Sequence, residues 1–419
     1  MLKKLILQNW KSFRYAELPL DPLTVLIGTN ASGKSNVVEA LDFLQRIARG
    51  ENIETALGGS KTLKSIRGGI EWAARKGESG FTLKVLIQGE EQGTDYLYTI
   101  NIQTEPQVRV ISEYIAIQKL SEDNAIDNEK TITLTNHIFP TKSGLQSADF
   151  RVDIKEILQF NPNDKEVVLG GEDLVKILNN KILPLRDEVK KNVVVALERI
   201  LILNPIPSNM REQSRPADNL ESDASNIAGV LAALSEEEKT KVELALSTYI
   251  KYLPEGDIKK VWAEKEGKFD TDAMLYCEEE WRPGKTTLID ARSMSDGSLR
   301  FLAILTALLT RPEGSQIVIE EIDNGLHPSR AKLLVKTLRE IGTKRNIDIL
   351  LTTHNEALLN ALGPEIVPFV VVAHRDSETG ESKLTLLEDI DNFPKLFASY
   401  SLGEMTTKGA IERSLSHGE

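Results

Sequence analysis

Short runs of consecutive apolar residues at Leu5–Leu7 and Leu23–Ile27 predict two strands near the start of the chain. Asn9–Leu18, between them, is mixed in character and has room for a hairpin. From Asn36 to Ala48 the apolar residues recur at helical spacing, so the glycine-bearing stretch Gly28–Ser35 falls between a strand and a helix. Phe81–Gln88, Tyr96–Gln103 and Arg109–Gln118 read as successive strands broken by polar turns, which predicts an antiparallel sheet beside the core.

From about Leu120 to Glu255 the pattern loosens. Helices are predicted at Asp173–Asn179, Asp187–Ile202 and Ala224–Leu234. A fourth runs to about Tyr252 from Ser235, an N-cap type followed by three glutamates. No sustained heptads occur, so this stretch reads as an insertion and not as a coiled-coil arm. Strands resume at Ile258–Lys265 and Asp272–Glu279. A helix at Asp296–Leu309, a strand at Gln316–Glu320, a helix at Pro328–Gly342 and a strand at Asp348–Thr352 follow. A helix at Glu356–Leu362 and a strand at Pro368–His374 close the series. Strands alternating with helices predict a parallel sheet with helices packed on it.

Composition narrows the class. Of 419 residues, 41% are hydrophobic and 27% charged, the balance of a folded globular chain. With 51 Lys and Arg against 63 Asp and Glu, the net charge of −12 counts against non-specific nucleic-acid binding by the whole surface. A single cysteine, Cys277, excludes an intrachain disulfide and a cysteine-based zinc site. No segment reaches the ~18 apolar residues needed to span a bilayer. Met1–Phe13 has two lysines near its start, Lys3 and Lys4, and no uninterrupted apolar stretch, so it does not read as a signal peptide. The expectation is a cytoplasmic protein with no membrane partner.

Four segments carry chemistry. In Gly28-Thr29-Asn30-Ala31-Ser32-Gly33-Lys34-Ser35, glycines at both ends let the backbone curl so that successive N–H groups point at phosphate oxygens. Lys34 supplies a charge to the terminal phosphates and the Ser35 hydroxyl suits Mg²⁺. The helix that follows adds the positive end of its dipole. Ile317-Val318-Ile319-Glu320-Glu321 ends a buried strand in two carboxylates, with alternation expected to send them to opposite faces. Glu320 is assigned to Mg²⁺ through water, and Glu321 to polarising the attacking water. Leu350-Leu351-Thr352-Thr353-His354 ends a strand in a histidine placed to sense a γ-phosphate. Met294-Ser295-Asp296-Gly297-Ser298 puts small residues at a helix start, an anion-accepting end. His137, His327, His374 and His417 show no metal-ligand spacing.

The order of these four segments resembles the ABC-type ATPase heads of the RecF/SMC/OLD group. The opening Leu5-Ile6-Leu7-Gln8-Asn9-Trp10-Lys11-Ser12-Phe13 and Asn36 after Ser35 fit the same group. Glu321-Ile322-Asp323-Asn324-Gly325-Leu326-His327-Pro328 resembles the D-loop segment of its OLD-like, "AAA-21" branch. The resemblance implies an α/β fold: an ABC-type P-loop ATPase head with a mostly parallel core sheet, a flanking antiparallel sheet and a central, mainly helical insertion. An N-terminal lobe at 1–120, the insertion at 121–255 and a C-terminal lobe at 256–419 follow from it.

The resemblance further implies ATP and Mg²⁺ as ligands, bound through Gly28, Asn30, Ser32, Gly33, Lys34, Ser35 and Asn36. Ser295, Asp296, Gly297 and Ser298 would form a signature covering ATP held by a second subunit, with Asp323 to His327 along the seam and His354 as the switch histidine. A homodimer or higher homo-oligomer is implied. Asp296 stands where the group usually has glycine, and Glu320 where aspartate is usual. Gln88, Gln103 and Gln118 are the candidates for a glutamine loop. The coiled coils of SMC proteins and the fused TOPRIM nuclease of OLD proteins are both missing; Glu388-Asp389-Ile390-Asp391 reads as an exposed acidic turn. The ending His374-Arg375-Asp376 through Tyr400-Ser401-Leu402-Gly403-Glu404 resembles stand-alone heads of anti-phage systems, which implies a separate TOPRIM-like nuclease effector. A RecF-like clamp on DNA is the alternative.

Overall fold

A computed structural model describes residues 1–119, 132–135, 183–253, 257–324 and 327–416. The predicted helix at Asp173–Asn179 lies outside them, as do His137 and His417. The chain opens with strands β1 (Leu2–Trp10), β2 (Phe13–Pro19) and β3 (Leu23–Ile27), then helices α1 (Lys34–Ala48) and α2 (Ile53–Gly58). Strands β4 (Gly80–Gln88), β5 (Thr94–Gln103), β6 (Arg109–Lys119) and β7 (Ile132–Thr135) follow. Next come α3 (Leu183–Glu198), β8 (Ile200–Leu203), α4 (Pro207–Met210), α5 (Ile227–Ala233) and α6 (Glu236–Ile250). A run of three strands, β9 (Ile258–Glu266), β10 (Asp272–Arg282) and β11 (Lys285–Asp290), leads to α7 (Asp296–Thr310) and β12 (Gln316–Ile319). The rest is α8 (Ala331–Lys344), β13 (Asp348–Thr352), α9 (Glu356–Leu362), β14 (Val370–Arg375), β15 (Ser382–Leu386), α10 (Phe393–Ser399), α11 (Leu402–Thr407) and α12 (Ala410–Ser416).

Two compact units result. The first comprises Met1–Leu20, Glu39–Ile200 and Glu381–Lys383. Its sheet has the order β2-β1-β4-β5-β6-β7, and every neighbouring pair is antiparallel. Alternate residues of β4 are buried, with Leu2, Leu5 and Leu7 of β1, and Trp10, Phe13, Phe43 and Phe81 are fully buried in the same unit. The Trp10 and Phe81 rings meet edge to face at 4.7 Å, the arrangement that opposed ring quadrupoles favour. On α3, Val189, Val193 and Leu197 recur every four residues and are all buried, a helical stripe.

The second unit comprises Asp21–Val38, Leu201–Gly380 and Leu384–Glu419. Its sheet has the order β15-β14-β3-β13-β12-β8, with β14, β3, β13 and β12 mutually parallel. Val25, Ile27, Ile317, Ile319, Ile349 and Leu351 alternate along three of these strands and share one hydrophobic core with the buried residues of α7 and α8. Helix α7 is apolar nearly all round, as suits a helix enclosed in a core. Ser295 caps its start, and Pro312 forces Arg311 into extended backbone and ends it. β9, β10 and β11 form a separate antiparallel sheet.

Several elements depart from the sequence reading. The helix predicted over Asp187–Ile202 stops at Glu198, because the Ile200–Leu203 run pairs beside β12. In the second unit's antiparallel sheet, β11 follows a Pro283-Gly284 turn, where the sequence reading has no strand. The predicted helix at Pro328–Gly342 begins with a 3₁₀ turn at Pro328–Arg330. The strand expected to reach Glu320 ends at Ile319. Beyond β14 the chain adds β15 and three short helices. Helix α11 has a capping box made by Ser401 and Glu404. The Gly403 N–H donates to Asn360 Oδ1 at 2.9 Å, and a Cβ at Gly403 would stand 2.5 Å from the Glu356 carbonyl, so α11 packs backbone-close on α9. Cys277 is buried in β10, and burial pushes its thiol up to about 12, the state of an inert core sulfhydryl.

Asp348 opens β13 with 2% exposure, and its Oδ1 has no hydrogen-bond partner. Burial pushes this carboxyl up to about 6. The unfolded value is about 3.9, so over this window the folded chain binds the proton more tightly. The stabilisation is complete at low pH and is lost as pH rises through about 6. Asp348→Asn is therefore expected to flatten the fall in urea-unfolding free energy between about pH 4 and about pH 6.5. An unchanged slope would count against a proton held at this site.

Candidate functional site

β3 ends at Ile27 with β13 on one side and β14 on the other. The turn out of it begins at Gly28, whose φ is +143°; a Cβ there would lie 2.1 Å from the Ala373 carbonyl oxygen. Only glycine fits. Gly33 (φ +116°) closes the loop, and its carbonyl accepts the amides of Asn36 (2.9 Å) and Val37 (3.2 Å) to start α1. The first amides of α1, at Lys34 and Ser35, have no carbonyl one turn back within the helix and stand available at the loop. Ser32 turns its hydroxyl inward beside Gly28, where it is buried without a hydrogen-bond partner. Thr29 and Asn30 are exposed; Ser35 and Asn36 are half-buried.

The crest of the loop is held from outside. Ala31 has a left-handed φ of +65°, and Arg375, the last residue of β14, donates its Nε to the Ala31 carbonyl at 2.9 Å. Lys34 Nζ donates to the carbonyls of Gly28 (2.5 Å) and Thr29 (2.9 Å). Burial lowers the pKa of this ammonium, and the charge of Glu321 opposes the shift. The result is a partly desolvated cation bound to neutral oxygens, which gains strongly from an incoming anion.

Two strands away, the acidic segment is a turn fastened to β13. Glu320 and Glu321 lie beyond the end of β12, so strand alternation does not set their directions, contrary to the sequence argument. Glu321 has φ +45°; its N–H donates to Thr352 Oγ1 at 2.8 Å. The Ile322 N–H donates to the Thr352 carbonyl (3.1 Å), and Thr353 Oγ1 donates to Asp323 Oδ1 (2.5 Å). Glu320 is half-buried and Glu321 exposed. His354 is exposed, directly before Asn355, whose side chain caps α9 through the Leu358 N–H at 3.0 Å. Parallel register thus brings the loop after β3, the turn after β12 and the histidine after β13 to one sheet edge.

The four residues 295–298 belong to a different feature. Ser295 Oγ accepts the Ser298 N–H at 3.1 Å and pairs with the Ser298 hydroxyl at 2.9 Å. Gly297 and Ser298 are buried; Ser295 and Asp296 are exposed. Only the first two therefore face outward. Asp323 sits in the acidic turn, Gly325 and Leu326 lie outside the described residues, and His327 caps the Pro328–Arg330 turn. Gln88, Gln103 and Gln118 all lie on strands of the first unit's sheet.

The family model described as AAA_15, AAA ATPase domain, matches residues 1–359. This chain belongs to the AAA ATPase domain family. The match spans the phosphate loop, residues 295–298, the acidic turn and His354. The domain is 22% identical over 372 residues to an ATP/GTP phosphatase of Helicobacter pylori, covering 86% of this chain and 87% of that protein. It is 25% identical over 291 residues to the chromosome partition protein Smc of Mycobacterium tuberculosis, covering 67% of this chain and 21% of Smc. It therefore spans about a fifth of the length of that relative. Its fold is similar to that of a crystallised Smc head bound to the C-winged helix domain of ScpA, with a TM-score of 0.50 at 12% identity, covering 92% of this chain and 96% of that one. Among the described residues of this AAA ATPase domain, no three His, Cys, Asp or Glu side chains are grouped to hold a metal ion, and no helix is long and apolar enough to cross a membrane.

Sequence reasoning named Arg375 only within the chain's ending and gave it, like the two threonines, no role at the loop. Thr352-Thr353 before His354 was a readable signal, since hydroxyls at a strand end are free to fasten the neighbouring turn. Arg375 had none, because its partner is a backbone carbonyl 344 residues away. Gly28→Ala is expected to destabilise the fold by about 1–3 kcal/mol, from a strained φ and a backbone clash. Arg375→Ala should leave unfolding midpoints near wild type and weaken binding of a fluorescent ATP analogue roughly three- to tenfold. Wild-type affinity in Arg375→Ala would show that the clamp does not shape the loop.

Proposed function

We propose that this AAA ATPase domain binds and hydrolyses ATP with Mg²⁺ at the Gly28–Ser35 loop, and does so as a head-to-tail dimer. The observation that carries the reading is Lys34: a partly desolvated ammonium held by loop carbonyls, inside a cradle that a Cβ would fill, and electrostatically linked to Glu321. Backbone amides at the start of α1 and Lys34 bind the phosphates. Ser35 and Glu320 would hold Mg²⁺, which when bound offsets phosphate charge. Glu321, exposed on a turn whose amide is fixed by Thr352, orients and polarises water. His354, on the same edge, senses the terminal phosphate.

The dimer is supported by the separation of duties within the chain. Ser295 and Asp296 are exposed at the start of α7 and tied to their own surroundings, so they suit covering a nucleotide held by a second copy. The ending through Glu404 supports a regulatory role in anti-phage defence, in which the ATP-gated dimer restrains or releases a separate TOPRIM-like nuclease. The similarity to Smc supports a second reading, an ATP-gated clamp on DNA. That reading predicts ATP-dependent, salt-sensitive retention of duplex; none at low salt would remove it.

Glu321→Gln is expected to keep ATP-analogue affinity while turnover falls on the order of a hundredfold or more. Lys34→Ala is expected to lose both. Phosphate release and analogue titration separate the two effects. Unchanged turnover in Glu321→Gln refutes the assignment of the base; unchanged affinity in Lys34→Ala refutes the loop.

A further inference from the structure

Arg211 lies outside every motif and holds the outward-facing end of residues 295–298. It follows α4, and its Nη2 donates to the Met294 carbonyl at 3.0 Å and to Asp296 Oδ1 at 2.5 Å. Asp296 is the first residue of α7, so its carboxylate sits at the positive end of that helix, with 64% of the side chain exposed. A carboxylate here places a full negative charge on the surface that, in the dimer reading, must approach a triphosphate. Arg211 cancels that charge with a guanidinium donor that also grips the backbone one residue before the cap.

The arginine is mounted rigidly. Met210 beside it is 1% exposed. The Asn204 N–H donates to the Ser222 carbonyl (2.7 Å) and the Ile206 N–H to the Asp223 carbonyl (2.9 Å). Asn209 Nδ2 donates to Asp223 Oδ2 at 2.9 Å. At the other end of this segment, the Leu203 carbonyl accepts the Glu320 N–H at 3.4 Å. One short braced stretch therefore runs from the backbone of the acidic turn to the aspartate of the helix start.

We infer that Arg211 is a positioning residue: it fixes the Asp296 carboxylate and neutralises it, so that the start of α7 can accept the anionic triphosphate bound by a second copy of the chain. The inference rests on the dimer reading. ATP-driven self-association, followed by analytical ultracentrifugation in the full-length Glu321→Gln background, tests it, with fluorescent ATP-analogue binding measured on the same proteins at concentrations below self-association.

Adding Arg211→Ala is expected to weaken association on the order of tenfold and to change analogue affinity less than about twofold. Arg211→Lys should recover part of the loss, because it keeps a cation without the fork. Combining Arg211→Ala with Asp296→Asn should recover most of it, because the uncompensated charge is gone. Added salt should narrow the gap between Arg211→Ala and its parent. Undiminished association in Arg211→Ala, or a loss that Asp296→Asn leaves unrepaired, overturns the assignment. A Glu321→Gln protein that does not associate on ATP overturns the dimer reading, and this inference with it.

Discussion

Parallel pairing of β3, β13 and β12 is the constraint on which the rest of the second unit depends. Leu351 stands opposite both Val25 and Ile319, so the three strands end nearly level. A parallel sheet delivers every strand's exit to one edge, whatever the distance in sequence. Residues near positions 30, 320 and 354 become neighbours for that reason. Both faces of these strands are covered: Leu26, Val318 and Leu350 are buried as fully as Val25, Ile317 and Ile349, as suits a parallel sheet flanked on both sides.

Upon that edge, two backbone groups are bound by side chains from an adjacent strand. Thr352 secures the amide of Glu321, and Arg375 secures the carbonyl of Ala31. Both bonds act on residues with positive φ that carry side chains, a conformation that costs energy and persists only when neighbours over-determine it. The conformations of loop and turn are therefore consequences of the sheet as much as of their own sequences.

The sequence disclosed what depends on local periodicity and on short motifs. The strand before the phosphate loop, the helix after it and the Ser235 cap were legible within a few consecutive residues, and the parallel character of the second sheet in the alternation of strands and helices. What escaped was encoded by pairing. Ile200–Leu203 looks like the end of a helix until β12 claims it, and the two glutamates look like strand residues until Thr352 bends them away. Arg211 and Arg375 are given no role by the sequence, because an arginine that binds a distant carbonyl has no local signature.

The packing of α11 on α9 bears on where the working body of this protein stops. The family match closes at residue 359, within α9, yet that helix is roofed by Gly403 and held by its amide through Asn360. A fragment cut at the family boundary would sever the helix that follows His354 and strip away its cover. Helix α11 thus covers the helix that leaves the sheet edge at His354, and a fragment meant to keep that edge intact has to carry it.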